Sequence, residues 1–134
     1  MIEVYEEKKR LILDMIAFST TEGNLPKKEY DFLFVIANAL DLKKGDFNNL
    51  FLLELPLVAS KTAFVRLQHF YRLAFLMHKG KKLNSNESNT MYQISIRMGI
   101  NPDATKRVLV RMDKSPSVSL STENLQAIYD EFYS

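Results

Sequence analysis

The chain contains no cysteine, and its 134 residues include only four glycines and four prolines. The missing thiols exclude a disulfide framework, thiol catalysis and any cysteine-based zinc or iron–sulfur centre. Gly23, Gly45, Gly80 and Gly99 stand singly and read as helix-ending glycines, so no glycine-rich phosphate loop is present. Long apolar runs are also missing. Leu11-Ile12-Leu13 follows basic Lys8, Lys9 and Arg10 but is broken at once by Asp14. That is too short for a signal-peptide core, and no run approaches the roughly 20 residues of a membrane span. No membrane insertion is expected, and cytoplasmic residence is the default.

Negative charge is missing from one long stretch. Between Leu55 and Asn86 there is no Asp or Glu, while Lys61, Arg66, Arg72, Lys79, Lys81 and Lys82 are all basic. The remainder of the chain is net acidic, so the overall charge is only +2. Such an asymmetry steers anionic partners.

What is present is helical periodicity. The hydrophobic fraction is 46% and the charged fraction 25%, as in a globular protein, and the length suits one domain. Val4, Leu11, Met15 and Phe18 share a face of a first helix over about Glu3 to Thr21. A second starts at Pro26, with Tyr30, Leu33, Phe34, Ala37 and Leu40 on one stripe. A short third, Asp46 to Glu54, points Phe47, Leu50 and Phe51 inward, and Pro56 opens a linker to Ser60. The fourth, Lys61 to His78, is apolar on several sides and is expected to have neighbours around it. Asn84 and Glu87 predict a capping box for the fifth. Asn101-Pro102 starts the sixth, and Ser121 caps the last, ahead of a Leu120–Leu125 staple.

Laid over one another, these pieces repeat. Ala17 to Asn24 matches Ala74 to Lys81, and Leu25 onward matches Leu83 onward after one inserted residue. Leu33 then pairs with Met91, Leu40 with Met98, Leu42 with Ile100 and Leu50 with Val108. The expectation is an all-α, compact bundle of about seven helices in a single domain, 1–134. It holds two diverged units at about 11–54 and 67–112, and a C-terminal helix at about 122–133.

The repeated unit resembles the TerB-like helical family, found in bacterial tellurite-resistance and other stress-associated proteins and in certain J-domain co-chaperones. The resemblance rests on Ile16-Ala17-Phe18-Ser19-Thr20-Thr21-Glu22-Gly23 leading to Glu29 and Ala39-Leu40-Asp41-Leu42. Its second copy is Leu73-Ala74-Phe75-Leu76-Met77-His78-Lys79-Gly80 leading to Glu87 and Arg97-Met98-Gly99-Ile100. It implies the fold, and it implies divalent-cation binding through acidic residues before the turn glycine. Here those positions hold Glu22 and Lys79, so the second has the wrong charge for a cation.

Read on their own, Glu22, Glu29 and Asp31 are oxygen donors of the kind calcium or magnesium takes, but they form no closely spaced cluster. His69 and His78 lie nine residues apart, about 180° around a helix, and so cannot share a metal. His78 faces the main apolar side at the helix's last turn, a place for a partly buried imidazole near free carbonyls, whereas His69 points away, towards solvent or another helix. No nucleophile elbow or linked Ser, His and Asp arrangement occurs.

Lys61, Arg72 and Lys79 project within about 20° of one another on a straight helix. With Arg66, Lys81 and Lys82 they form the candidate binding surface. No catalytic residue, metal site or cofactor is expected. The function expected is a non-enzymatic protein-interaction or self-association domain, whose partner is an acidic protein surface or a second copy. A divalent-cation-binding stress-response domain is the alternative. Nucleic-acid or phospho-ligand binding ranks below both, because no recognition motif accompanies the basic residues.

Overall fold

A computed structural model describes every residue except Met1, Ala59, Lys79, Gly80 and Ser134, together with the side chain of Ile2. The described residues form seven α-helices and no sheet. The chain packs as two compact units, Met1–Lys61 and Thr62–Ser134. Among the described residues no helix is long and apolar enough to cross a membrane.

The N-terminal unit consists of α1 (Ile2–Ser19), α2 (Lys27–Ala39) and α3 (Lys44–Leu50). Leu11, Ile12, Met15 and Ile16 from α1, Leu33, Ile36 and Ala37 from α2, and Phe47 and Leu50 from α3 are buried. Phe47 holds the aromatic part of this core together. Its ring meets Tyr30 at 5.8 Å, Phe34 at 5.7 Å and Phe51 at 5.2 Å, tilted or edge-on as ring quadrupoles favour. Burial of one such side chain contributes about 1.5–3 kcal/mol. Two residues expected inside stay near the surface: Val4 is exposed, and Tyr30 keeps one edge out.

A tight turn joins α1 to α2. Thr21 and Asn24 exchange both backbone hydrogen bonds at 2.9 Å, and the central pair, Glu22 (φ 53) and Gly23 (φ 77), are both left-handed. Two positive φ values in a row are what a type I′ turn requires. Glycine adopts that conformation freely; glutamate does so at a cost.

The helix α3 is shorter than its sequence suggests. After Leu50 the chain continues through single i→i+3 bonds, Phe51 N to Asn48 O, Leu52 N to Asn49 O and Leu53 N to Leu50 O. Pro56 then disfavours a helical conformation at Leu55, and the segment continues without regular structure. Gly45 also departs from expectation: it lies inside the first turn of α3 and ends nothing.

The C-terminal unit consists of α4 (Ala63–His78), α5 (Ser85–Arg97), α6 (Pro102–Lys114) and α7 (Thr122–Tyr133). Leu67, His69, Phe70, Tyr71, Leu73, Ala74 and Leu76 of α4 are buried and fall on all sides of the helix, in keeping with its short polar perimeter. The capping box at Asn84 is complete: Asn84 Oδ1 accepts from Glu87 N at 2.8 Å, and Glu87 Oε1 accepts from Asn84 N at 2.9 Å. Asn101 Oδ1 accepts from Asp103 N and Ala104 N, with Pro102 as the first helical residue. Ser121 Oγ accepts from Asn124 N at 3.1 Å at the start of α7.

The seventh helix is fixed by hydroxyls and charge. Tyr71 Oη accepts from Leu120 N at 2.6 Å, and Tyr133 Oη accepts from Asn101 N at 2.8 Å. Arg107 on α6 makes a two-pronged ion pair with Glu131 at 2.8 and 3.1 Å, with its guanidinium over the Phe132 ring.

The two units share a measurable regularity. Both ends of α2 and both ends of α5 are 58 positions apart, and so are the starts of α3 and α6. The turn after each middle helix has the same bonds. Asp41 N donates to Asn38 O and Leu42 N to Ala37 O, as Gly99 N donates to Ile96 O and Ile100 N to Ser95 O. Asp41 (φ 62) and Gly99 (φ 74) hold the same left-handed place.

Candidate functional site

The six basic residues singled out from sequence have different surroundings. Lys61 precedes α4 rather than lying on it, so its projection onto that helix does not hold. Its ammonium closes the end of α1 instead, donating to Thr20 O at 2.6 Å and Thr21 Oγ1 at 3.2 Å. A cation there offsets the negative end of the helix dipole. Arg66 is half-buried in the C-terminal unit, and its guanidinium lies over the turn after α5, 3.5 Å from where a Gly99 side chain would begin. Arg72 is half-buried and engaged within the protein. Lys81 and Lys82 are exposed in the connection between α4 and α5. Lys79 lies outside the described residues.

The charge in that connection acts on a carboxylate at the helix start. Glu87 is held below the usual carboxylate range, chiefly by the Asn84 amide hydrogen bond and further by His78 and Lys81. His78 Nδ1 lies 3.4 Å from Glu87 Oε2, and its Nε2 is buried with no hydrogen-bond partner among the described residues. The partly buried imidazole expected at this turn is therefore found, facing a carboxylate rather than carbonyls. His69, on the side of α4 expected to meet solvent or another helix, is buried, because α4 is covered on every side.

The turn carboxylates do not converge. Glu22 is exposed on its left-handed turn, and Asp31 pairs with Lys27 at 2.8 Å. Glu29 is half-buried and has contacts of its own. Among the described residues no three of His, Cys, Asp and Glu gather as metal ligands would.

A feature not anticipated from sequence lies in the N-terminal unit. Between α1 and α3 is an open groove of about 420 Å³, with Leu13, Leu50 and Leu53 as its apolar part and Glu6, Lys9, Arg10, Asp46 and Asn49 around them. The surrounding charges are of both signs and largely satisfied. Lys9 pairs with Glu6 at 2.9 Å, and Asp46 accepts from the Tyr5 hydroxyl. The Asp46 bond holds the Tyr5 proton on, so the phenol titrates above its ordinary value. In the segment that follows α3, Leu52 is 82% exposed, Leu53 53%, Leu55 37% and Leu57 97%. The signal was present in the spacing of Leu52, Leu53, Leu55 and Leu57, which outruns any single helical face.

No protein-family model matches the chain, and neither curated proteins nor solved structures give a significant match.

Proposed function

We propose that this chain is a non-enzymatic interaction domain that binds protein, including its own copies, through exposed side chains of its helical units. The observation that carries this reading is the leucine segment after α3. Single exposed leucines are ordinary on a protein surface, whereas four exposed within six residues concentrate apolar surface on one short segment, as contact sites do. Lys81 and Lys82 supply exposed positive charge in the other unit, suited to steering an acidic protein.

The two units are, in this proposal, diverged copies of one TerB-like helical unit. The support is the common spacing of 58 positions and the left-handed turn repeated at Asp41 and Gly99. Glu22 has an assignment that needs no cation, as a central residue of the α1–α2 turn. The interaction reading is therefore the stronger of the two.

Sedimentation velocity at rising protein concentration and at several ionic strengths tests the proposal, alongside capture of binding proteins by the immobilised chain. Concentration-dependent association, or saturable capture of an acidic protein that weakens with salt, is the expected result. A strict monomer that captures nothing would sink it.

A further inference from the structure

We propose that the groove between α1 and α3, with the leucines that follow it, is the face through which two copies of this chain pair about a twofold axis. The inference rests on the self-association reading and gives it a location. A twofold interface is self-complementary: the same patch carries both the projecting and the receiving surface, and both signs of charge. The N-terminal unit carries each of these on α1, α3 and the segment that follows α3.

The receiving surface is the groove, whose apolar part is Leu13, Leu50 and Leu53. The projecting surface is Leu52 and Leu57, 82% and 97% exposed. Leu53 belongs to both, so the two are continuous along the chain. Rotation of a second copy by half a turn offers its leucines to this groove and receives this copy's leucines in return.

Charge favours the same occupant. Arg10 lines the groove with its side chain 68% exposed and meets Asp14 through Nε alone, at 3.3 Å. An exposed pair of that length and separation contributes little and is easily exchanged. Glu54 sits between the projecting leucines, exposed and with no ion pair among the described residues. In the twofold pair Glu54 of each copy faces Arg10 of the other, which fixes register and orientation. A wholly apolar partner would leave Glu54 unmet.

Sedimentation equilibrium of the full chain, from micromolar to hundreds of micromolar concentrations, tests this with four variants. The wild-type chain is expected to dimerise. L52E/L57E is expected to raise the dissociation constant by at least about 30-fold, the loss typical of an interface anchor. Circular dichroism of that variant should match wild type, because both side chains are already in solvent. R10E and E54R should each weaken pairing by about tenfold, and R10E/E54R should restore most of the loss. A monomer over the whole range overturns the inference, and so does a double reversal no better than either single change. A dimer indifferent to L52E/L57E would also overturn it, while leaving self-association through some other face in place. A monomer that still captures a different protein would remove this twofold pair and keep the broader interaction reading.

Discussion

The backbone amides of Lys43 and Asn101 stand at the starts of α3 and α6, 58 positions apart, and each donates to a tyrosine hydroxyl, at 3.0 and 2.8 Å. The tyrosines do not correspond. Tyr5 comes from the first helix of its unit and Tyr133 from the last helix of the other. A helix start leaves amides without intrahelical partners wherever it occurs. The comparison teaches that this need stays fixed while the residue that answers it is free to come from anywhere within reach. The capping itself divides the units in the same way. Asn84 and Asn101 cap with their side chains, whereas Pro26 and Lys43 make no side-chain cap.

The most forceful way to break the likeness is through the core. Phe47 and Thr105 occupy equivalent places in α3 and α6, and both are buried. Phe47→Ala should cost about 3–5 kcal/mol, because it removes the ring at the centre of four aromatic side chains. Thr105→Ala should cost about 1 kcal/mol, the loss of a small side chain whose hydroxyl bonds to Asn101 O at 3.2 Å. Urea unfolding followed by circular dichroism measures both. Equal costs would mean that the two units share a dependence on this position which their packing does not suggest.

The tyrosine pair gives a finer test. Tyr133→Phe keeps the stack on Tyr129 but leaves the part-buried Asn101 amide without its acceptor, and about 1–2 kcal/mol should be lost. Tyr5→Phe frees an amide that water can reach, so about 0.5–1 kcal/mol is expected, although the Asp46 bond goes with it. A larger loss at Tyr5 would show that the α1–α3 bond matters more than burial of the amide.

Small effects of opposite sign should come from the left-handed turns. Asp41→Gly should stabilise by about 1 kcal/mol by relieving a strained φ, partly offset by the greater freedom of the unfolded chain. Gly99→Ala should destabilise by about 1 kcal/mol for the converse reason; its new Cβ would meet Arg66 only at ordinary contact distance. Thermal unfolding resolves shifts of this size, and two changes of the same sign would end the equivalence of the turns.

Much of the fold was legible where a local rule acts alone. Asn84 with Glu87, and Asn101 with Pro102, announce helix starts because capping depends on neighbours in sequence. The left-handed residue after α2 is less legible: Gly45 is the nearest glycine, yet pairing Leu42 with Ile100 sets Asp41 opposite Gly99. His69 projects away from the main apolar face, and a single-helix projection does not decide whether solvent or another helix meets it there. The groove was harder still. Leu13, Leu50 and Leu53 carry an ordinary core signature, and only the path of the chain after Leu50 leaves their outer edges uncovered. Lys61 looked like part of a stripe on one helix because its place before the first turn of α4 depends on where that helix begins.

The left-handed aspartate has a consequence at the level of the gene. Aspartate and glycine codons differ by a single base, so the residue best suited to this turn is one mutational step away. Asp41 is thus a position where chance variation supplies a stabilising change directly, a local reserve against damage elsewhere in the chain.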